Sequence, residues 1–597
     1  MKSGIFRHCA LLFFRKRVWL WLLAGVTALL LLVVGRGSAI AAAWLGHQLD
    51  YPPADYGVRL ERRVTVTAPD GTVLVADVYH PRTAAATPTI LVRIPYSKQI
   101  KHILFARTIG HLWASHGYTT VIQGTRGRYE SGGSYDPPFL NEAQDGRATL
   151  EWITQQPWYD GQIGMWGGSY FGYTQWVLAD QVDPGLSALI PQICSTDFYR
   201  MFYPGGAFSL ESALYWATLS YGPRDIPLPS EQLRRGFEGW PLLEADDRAV
   251  QNIPFFDTWA SHTERDRYWQ AVDGTGRARQ LQAPTLLMAG WYDPFLPTQL
   301  TDFEQIRAHA APPVAEATRL VIGPWTHANT VTFPDGSRPR NYRFESIGPS
   351  LPWFDQQLKG DPTMAYPDPV LIYVMGANTW RGESAWPLPR TRYTAYYLHS
   401  NGRANTLNGD GLLSLEPPGE DEVSDRFIYD PQNPVPSAGG TMLGPNAGIQ
   451  PQNAVEERQD VLVYTTPLLR DAIEVTGPVQ LRLQVSTTAP HTDFTAKLVD
   501  VHPDGTSYNV SEGILRRRYD KTQTPTEIAI DLWPTSQVFF PGHRIRLEVS
   551  SSSYPRFDRN PNTGRNIPTE RQPVTATQTV YHHAAAVSRL ILPIIPE

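Results

Sequence analysis

The stretch from residue 163 to residue 173, Ile-Gly-Met-Trp-Gly-Gly-Ser-Tyr-Phe-Gly-Tyr, restricts the fold of this chain more than any other. A short apolar run enters a pair of glycines, turns at Ser169 and continues with helical spacing. So tight a turn from strand to helix needs small residues around it, and it leaves the turning side chain exposed at the strand tip. Gly167 precedes Ser169 by two positions, but Phe171 replaces the glycine expected two positions after it, so a G-x-S-x-x-G variant ending at Gly172 remains. The pattern predicts a nucleophile elbow, with a Gly-Ser turn without chemistry as the alternative.

Size and composition set limits on the class of protein. A chain of 597 residues is too long for one core, and the usual domain length predicts about three or four units. Hydrophobic residues at 42% and charged residues at 18% are typical of globular proteins, and 52 Pro with 47 Gly favours many turns and long loops. The net charge of -6 offers no basic surface for a phosphate backbone, so no nucleic-acid partner is expected.

The N-terminal 45 residues read as a signal peptide or a signal anchor. Arg7 and Arg15-Lys16-Arg17 precede an uncharged apolar run at 18–34, and Ala39-Ile40-Ala41 offers an A-x-A cleavage site. The run is near the lower length limit for a membrane-spanning helix, so both cleavage and retention stay open. In either case the positive-inside rule predicts export across the cytoplasmic membrane, to a periplasmic or extracellular location. If uncleaved, the apolar run would anchor the body to the membrane.

Residues 55–194 predict the first part of an α/β domain. Alternating residues from 64 to 79 flank a Pro-Asp-Gly turn, which is typical of a β-hairpin. Strands and helices then alternate up to the elbow, an order that predicts a mostly parallel, doubly wound sheet with right-handed crossovers. Ligands in such sheets bind beyond the carboxyl ends of the strands.

The remaining chain divides into three further segments. Residues 195–283 carry aromatic and charged residues at helical spacing without a convincing strand, which predicts an inserted helical cap. The sheet resumes over 284–365, where two short apolar strands each enter a loop. Residues 366–597 show short alternating strands separated by turn residues, the pattern of a β-sandwich of jelly-roll type.

Two of those strand ends carry the partners that an activated serine needs. A base must take the proton of the serine, and a carboxylate must orient the base, in the chain order Ser, acid, His. Asp293 directly follows one apolar strand and His327 follows the next. The spacings are 293 − 169 = 124 residues, room for a cap, and 327 − 293 = 34 residues, room for one helix between adjacent strands. Type, order and strand-end position together predict Ser169, Asp293 and His327 as a catalytic triad.

An oxyanion formed at such a serine needs two hydrogen-bond donors. The backbone N–H of Tyr170, the residue after the nucleophile, is one candidate. The second donor normally comes from the loop after the third strand, where Pro95 lacks an N–H and the hydroxyl of Tyr96 is the available group. The alternative for Tyr96 is an aromatic side chain that only packs at the start of the loop.

Several motifs resemble one known family. Gly164-Met165-Trp166-Gly167-Gly168-Ser169-Tyr170, Gly290-Trp291-Tyr292-Asp293, Gly323-Pro324-Trp325-Thr326-His327 and Val92-Arg93-Ile94-Pro95-Tyr96 resemble the CocE/NonD-type serine hydrolases, the cocaine esterase group. That group belongs with the X-Pro dipeptidyl-peptidases and α-amino-acid ester hydrolases. The likeness extends from about residue 60 to the end, including Pro541-Gly542-His543-Arg544.

The resemblance implies an α/β-hydrolase domain interrupted by a helical cap and followed by a jelly-roll domain, the three meeting around the active site. It implies the same triad and oxyanion residues, and it places Phe295 in the wall of the substrate pocket, to which we also assign Trp166. The family tolerates a residue other than glycine at position 171. One departure is Gly124, where the family commonly has an aspartate.

The expected substrate is a small-molecule ester or a short peptide. Amino-acid ester hydrolases hold the substrate ammonium with carboxylates close after the catalytic acid, but here Pro294, Phe295 and Leu296 follow Asp293. We therefore favour neutral acyl esters, cleaved through an acyl-enzyme, over X-Pro peptides and α-amino esters. A carboxylate from the cap would reverse that preference.

A different class of function stays open as well. An inactive hydrolase fold on the cell surface could bind glycan or a partner through the jelly roll. No cofactor is expected, since the chain has no phosphate-binding loop and no H-E-x-x-H motif for a metal. Its only cysteines are Cys9 and Cys194, which excludes a cysteine-based metal site in the body. The sequence does not indicate an oligomeric state.

Overall fold

The computed structural model describes residues 37–222, 225–327, 329–362 and 366–596. The predicted apolar run 18–34 lies outside the described residues. Residues 37–48 are helical (α1), and Ala42 of this helix packs with Leu49 against the hydrophobic core beneath the first sheet. Within the described ranges, no helix combines the length and the apolar character needed to cross a bilayer.

The first sheet has, among the described residues, ten strands in the order β1-β2-β4-β3-β5-β6-β7-β8-β9-β10. β1 and β2 form the predicted antiparallel hairpin, β2 is antiparallel to β4, and the neighbours from β4 across to β9 are parallel. The predicted doubly wound sheet is thereby confirmed. The strands are β1 Val58–Thr67, β2 Val73–Pro81, β3 Thr87–Ile94, β4 Thr119–Gly124, β5 Tyr159–Gly168, β6 Ala188–Gln192, β7 Leu286–Tyr292, β8 Arg319–Thr326, β9 Val370–Val374 and β10 Thr379–Glu383.

Helices cover both faces of this sheet, so each face has its own hydrophobic core. Side chains of a strand alternate between the two faces, and β5 shows the consequence: Ile163 and Met165 pack on the side of the cap, whereas Trp166 packs on the side of α1. The helices that belong to the sheet are α2 Ile100–Ala114, α3 Glu142–Thr154, α4 Tyr170–Trp176, α12 Leu296–His309, α13 Pro312–Ala317, α14 Tyr342–Ile347 and α15 Ser350–Lys359.

The segment between β6 and β7 is helical, as the aromatic pattern of residues 195–283 predicts. Its apolar side chains, for example Phe202 and Trp259, are buried in the same core as the elbow helix. The cap therefore packs directly over the carboxyl ends of the strands. Its helices are α5 Phe198–Phe202, α6 Leu210–Tyr221, α7 Ser230–Phe237, α8 Ala245–Ala249, α9 Pro254–Ser261, α10 Arg267–Val272 and α11 Thr275–Arg279, with 3-10 turns at Pro204–Gly206 and Leu242–Glu244.

β9 and β10 extend the first sheet although both follow residue 366, where the second domain was predicted to begin. β9 pairs in parallel with β8, and β10 returns antiparallel to β9. The short strand pattern after residue 366 did not distinguish an edge strand of the first sheet from a strand of the sandwich. The domain boundaries themselves stay predictions.

The second domain is all-β, which confirms the predicted architecture. β15 shows the strict alternation expected of a half-buried strand, with Val479, Leu481, Leu483 and Val485 buried and the intervening side chains partly exposed. Its helices in the described residues are short, namely α16 Asn453–Glu456 and a 3-10 turn at Ile567–Thr569. The strands are β11 Arg392–His399, β12 Leu412–Ser414, β13 Asp425–Tyr429, β14 Leu462–Thr465, β15 Ile473–Thr487, β16 His491–Val501, β17 Ser507–Arg518, β18 Thr526–Phe539, β19 Arg544–Ser550, β20 Ala576–Tyr581 and β21 Arg589–Ile595.

The second domain contacts both the first sheet and the cap. The N–H of Met375, just past β9, donates to the carbonyl of Ser536 at 3.0 Å. The hydroxyl of Tyr292 donates to the carbonyl of Asn509 at 3.0 Å. On the cap, the N–H of Phe208 donates to a carboxylate oxygen of Asp558 at 2.8 Å. These contacts hold the three parts together around the strand ends.

Candidate active site

Ser169 lies in the tight turn between β5 and α4. Its backbone has φ 57° and ψ −128°, a conformation that costs energy for a residue with a side chain and that is typical of functional turns. The turn also requires glycine nearby: a Cβ at Gly167 would lie 2.3 Å from Cβ of Phe171, and one at Gly172 would lie 2.7 Å from Cβ of Cys194. The glycine at 172 thus allows α4 to pack on β6, and Phe171 does not prevent the turn.

The structure brings Ser169, His327 and Asp293 together in one chain of contacts. The Nε2 atom of His327 lies 2.8 Å from Oγ of Ser169, and its Nδ1 atom lies 2.6 Å from Oδ2 of Asp293. The other carboxylate oxygen of Asp293 accepts the backbone N–H of Phe295 at 2.8 Å. Asp293 is fully buried, whereas His327 and Ser169 are partly exposed. The arrangement can pass a proton from the serine to the imidazole beside a fixed negative charge.

Adjacent parallel strands explain this convergence. β7 ends at Tyr292 and β8 ends at Thr326, so Asp293 and His327 each follow a strand end directly. β7 and β8 are paired in parallel, which places both ends at the same edge of the sheet. β5 ends at the same edge, directly before Ser169.

Tyr96 lies next to the serine, at the end of β3. Its hydroxyl interacts with the side chains of Trp216 and Ser169, and its burial raises the pKa of Tyr96 to about 12. The phenol therefore keeps its proton at neutral pH and can donate a hydrogen bond. Tyr170 is the first residue of α4, where backbone N–H groups have no acceptor within the helix. Of the two predicted donors, Tyr96 therefore lies beside Ser169 in space and Tyr170 directly follows it in the chain.

The loop that carries Tyr96 is fastened to the cap through Asp225. The backbone N–H of Ser97 donates to Oδ2 of Asp225 at 2.6 Å, and the Ser97 hydroxyl donates to the same oxygen. Nζ of Lys101 donates to the carbonyl of Asp225 at 2.8 Å. Asp225 is almost fully buried, so the cap fixes the position of the loop from above.

A second buried network fixes the start of α4 from the side of the sheet. The hydroxyl of Tyr170 donates to a carboxylate oxygen of Glu142 at 2.9 Å, and the other oxygen of Glu142 pairs with the Arg93 guanidinium at 2.9 Å. Burial raises the pKa of Glu142 despite the charge of Arg93. Sequence reasoning assigned no role to Glu142 or Arg93, and the only signal was the cationic Arg93 within an apolar strand.

A small cavity of about 30 Å³ adjoins Ser169. Side chains from the loops and the helix start at the edge of the first sheet, from the cap and from the second domain line it. Among the described residues that line it, none carries a charge at neutral pH. The lining residues are Phe139, Ser169, Tyr170, Phe198, Met201, Phe202, Ser212, Trp216, Phe295 and Leu443. Such a surface suits an uncharged acyl group.

The two predicted pocket residues have different positions. Phe295 lines the cavity, with its ring centroid 5.8 Å from that of His327. Trp166 does not: it packs in the core on the opposite face of the sheet, where its indole N–H donates to the carbonyl of Ser346 at 3.0 Å. The physical reason is strand alternation, which turns the side chain at 166 away from the face that carries the cap.

Gly124, the departure from the family pattern, has no room for a side chain. A Cβ at this position would lie 2.3 Å from the carbonyl oxygen of Arg128 and 2.8 Å from Cβ of Tyr129. An aspartate at 124 would therefore require a different course of the loop from 125 to 131.

In the described part of the chain, one group of side chains is close enough together to hold a metal ion, namely Asp500, His502 and His543. None of the three lines the cavity at Ser169.

Comparison with known proteins agrees with this fold. The model of the X-Pro dipeptidyl-peptidase (S15 family) matches residues 70–329, and the model of the X-Pro dipeptidyl-peptidase C-terminal non-catalytic domain matches residues 364–591. Cocaine esterase of Rhodococcus sp. (strain MB1 Bresler) is 38% identical over 576 residues, covering 89% of this chain and 98% of that protein.

Solved structures share the whole architecture. An aminopeptidase from a marine sediment Thaumarchaeota archaeon superposes with a TM-score of 0.76 at 25% identity, covering 91% of this chain and 98% of that chain. An α-amino acid ester hydrolase gives a TM-score of 0.74 at 23% identity, with the same coverage of both chains. The predicted family resemblance is confirmed. The chain belongs to the CocE/NonD family of hydrolases, the group that includes cocaine esterase and shares its domains with the S15 X-Pro dipeptidyl-peptidases.

Proposed function

We propose that the protein hydrolyses carboxylic esters of neutral acyl groups through an acyl-enzyme formed on Ser169. The observation that carries the proposal is the 2.8 Å contact between Nε2 of His327 and Oγ of Ser169, backed by a buried carboxylate on the far side of the imidazole. An inactive hydrolase fold would have no need to keep this arrangement together with a strained serine.

The acylation step uses the chain's own residues. Oγ of Ser169 attacks the ester carbonyl carbon while Nε2 of His327 takes the hydroxyl proton, and Asp293 stabilises the imidazolium that forms. The carbonyl oxygen becomes an oxyanion, for which the hydroxyl of Tyr96 and the N–H of Tyr170 are the donors. As the C–O bond to the leaving group breaks, His327 gives its proton to the departing alcohol.

The deacylation step repeats the chemistry with water. His327 takes a proton from the water as its oxygen attacks the acyl carbon, and it then returns that proton to Oγ of Ser169. The acid is released and the serine is restored. Apart from this water, no group outside the chain and the ester is needed for the proton balance.

The apolar cavity favours a neutral acyl group over an ammonium-bearing one. A substrate cation buried next to Phe198, Met201 and Phe295 would lose its hydration without gaining an opposite charge. Glu211, a buried carboxylate of the cap, accepts a hydrogen bond from Ser212 at 3.2 Å and does not line the cavity. The expectation of neutral esters therefore has support from the lining as well as from the residues after Asp293.

Labelling of the serine tests the proposal. An activated fluorophosphonate should modify wild-type protein at Ser169, and peptide mapping should find no adduct in Ser169→Ala. The variant should also lose hydrolysis of p-nitrophenyl butyrate, whereas Ser261→Ala, at an exposed position of the cap, should retain it. Unlabelled Ser169 together with equal turnover by wild type and Ser169→Ala would refute the proposal.

A peptidase activity is the second candidate, because the S15 model and the archaeal aminopeptidase both carry that description. The kcat/KM for p-nitrophenyl butyrate should exceed that for an Ala-Pro anilide. A clear preference for the anilide would assign the site to X-Pro dipeptides instead, without changing the role of Ser169.

We further infer, from the basic residues and the apolar run before residue 35, that the body is exported. Fusing alkaline phosphatase after residue 60 should give phosphatase activity, which that enzyme shows only outside the cytoplasm. N-terminal sequencing of the mature protein would tell cleavage from anchoring. An inactive fusion would refute export.

A further inference from the structure

A cluster of two imidazoles and one carboxylate lies in the second domain, at a cavity that is separate from Ser169. Asp500, His502 and His543 each place one ligand atom within 4.8 Å of those of the other two. The three residues span 43 positions of the chain, from 500 to 543, so no short sequence motif contains all of them. We propose that they bind one divalent transition-metal ion of the zinc type.

Strand pairing brings the three side chains together. β16 and β19 are antiparallel neighbours, with Asp500 opposite Ile545 and Val501 opposite Arg544. His502 therefore follows the end of β16 at the place where His543 precedes the start of β19. Both flanking turns have fixed backbones, since the N–H of His502 donates to the carbonyl of Thr506 at 2.9 Å and that of His543 to the carbonyl of Phe540 at 3.1 Å.

The spacing of the ligand atoms suits tetrahedral coordination. Nδ1 of His543 lies 2.8 Å from Oδ1 of Asp500, and Nε2 of His502 lies 3.8 Å from Oδ2 of the same carboxylate. Two ligands at about 2.0–2.1 Å from a tetrahedral zinc ion are about 3.3 Å apart, a value between these two distances. Small rotations of the two imidazoles would bring both distances to the spacing of a tetrahedral site. His543 would bind as the neutral tautomer with its proton on Nε2, and Asp500 as the carboxylate.

The surroundings provide the remaining features of a metal site. The carboxylate of Asp500 is oriented from outside the cluster by Nε2 of Gln537, which donates a hydrogen bond to Oδ2 at 3.3 Å. The cavity of about 140 Å³ beside the cluster has room for a water as fourth ligand. The side chains of Asp500 and His543 are mostly buried, at 5% and 12% exposure, and His502 is accessible at 27%. An ion could therefore enter from the side of His502.

The position of the cavity indicates what the ion would do. Tyr292, which precedes Asp293, and Phe333, from the loop after His327, line the same cavity as the cluster. An ion at this site would stiffen the second domain where it faces the two loops that carry the catalytic acid and base. It would take no part in the chemistry at Ser169, so the inference is independent of the proposed esterase activity.

Metal titration of the full chain without an affinity tag tests the site. After EDTA treatment and removal of the chelator, calorimetry with ZnCl₂ should show one saturable equivalent, and the melting temperature should rise with the concentration of zinc. CoCl₂ should give the intense visible absorption of a tetrahedral cobalt site, which zinc should abolish.

A matched pair of histidine variants identifies the ligands. His502→Ala should weaken zinc binding at least about 10-fold, because losing even a residue that only hydrogen-bonds to a metal ligand commonly costs that much affinity. His309→Ala, which removes an exposed histidine on α12, should bind like wild type. Equal melting temperatures without metal would show that His502→Ala folds. The proposal is overturned if wild type binds no equivalent of zinc, if cobalt gives only the weak octahedral spectrum, or if His502→Ala binds zinc as tightly as wild type.

Discussion

Oδ2 of Asp293 lies 2.6 Å from Nδ1 of His327, while Oδ1 of the same carboxylate accepts the N–H of Phe295 at 2.8 Å. The second contact fixes which oxygen faces the imidazole. In Asp293→Asn the amide oxygen would keep the Phe295 N–H, so the amide NH₂ would face Nδ1. His327 would then carry its proton on Nε2, where it cannot accept the proton of Ser169.

Asp293→Asn should therefore lower kcat by about 10⁴-fold with little loss of stability, as expected when a triad imidazole is held in the wrong tautomer. Steady-state hydrolysis of p-nitrophenyl butyrate would measure the effect. Asp247→Asn, an exposed carboxylate of the cap, is the control and should change nothing. A loss of less than about 10-fold would remove Asp293 from the mechanism.

Tyr96→Phe should lower kcat by about 10²- to 10³-fold, with a smaller change in KM, because it removes one oxyanion donor. Because the pKa of Tyr96 is raised to about 12, the phenol stays protonated between about pH 8 and about pH 10. The pH–rate profiles of wild type and Tyr96→Phe should therefore have the same shape over that range. Tyr393→Phe, at an exposed position, is the matched control. Equal effects on kcat for the two variants would indicate that Tyr96 only packs.

Gly172→Ala should destabilise the elbow by about 1–3 kcal/mol, as is usual for overpacking in a core. The new Cβ would lie 2.7 Å from Cβ of Cys194, and the backbone of α4 must shift to relieve the overlap. Gly276→Ala is the comparison, since nothing lies within 4 Å of a Cβ there. Thermal melting of both variants would test this, and a melting temperature of Gly172→Ala equal to that of wild type would contradict the packing argument.

Asp302 should make the protein less stable as the pH rises from about 4 to about 7. Its carboxylate accepts hydrogen bonds from Ser195 and Thr196, but burial raises the pKa of Asp302 to about 7. An unfolded aspartate titrates near about 3.9, so between these values the folded state binds more protons and stability falls with rising pH.

Asp302→Asn should reduce that slope, whatever it does to the absolute melting temperature. Glu211, whose pKa burial raises to about 7 as well, should maintain part of the slope in the variant. Melting curves at several pH values would measure both proteins. An unchanged slope in Asp302→Asn would show that Asp302 is ionised in the folded protein at neutral pH.

Local pattern and chain order were sufficient for much of the architecture. The Gly-Gly-Ser turn marks the junction of β5 and α4, and Asp293 and His327 each follow a run of apolar residues that forms a buried strand. Neighbouring parallel strands end at the same edge of a sheet. Residues that directly follow such strands therefore lie close to one another. Convergence of the three side chains could therefore be predicted without coordinates.

Other features had no local signal. Which face of β5 carries Trp166 depends on the register of the strand against its neighbours, and a one-residue change would turn that side chain to the other face. The fastening of Ser97 by Asp225 joins residues 128 positions apart through the course of the cap. Likewise, the meeting of Asp500, His502 and His543 depends on the pairing of β16 with β19.

The sequence by itself thus determined which residues end strands, which turn needs glycine and in what order acid and base follow the serine, because these depend on neighbours along the chain. Only the tertiary structure decided which side chains line the cavity, which face of the sheet each strand residue occupies and how the cap and the second domain close over Ser169. Those contacts join distant segments, and their geometry follows from packing and strand register, which leave no periodic trace in the sequence.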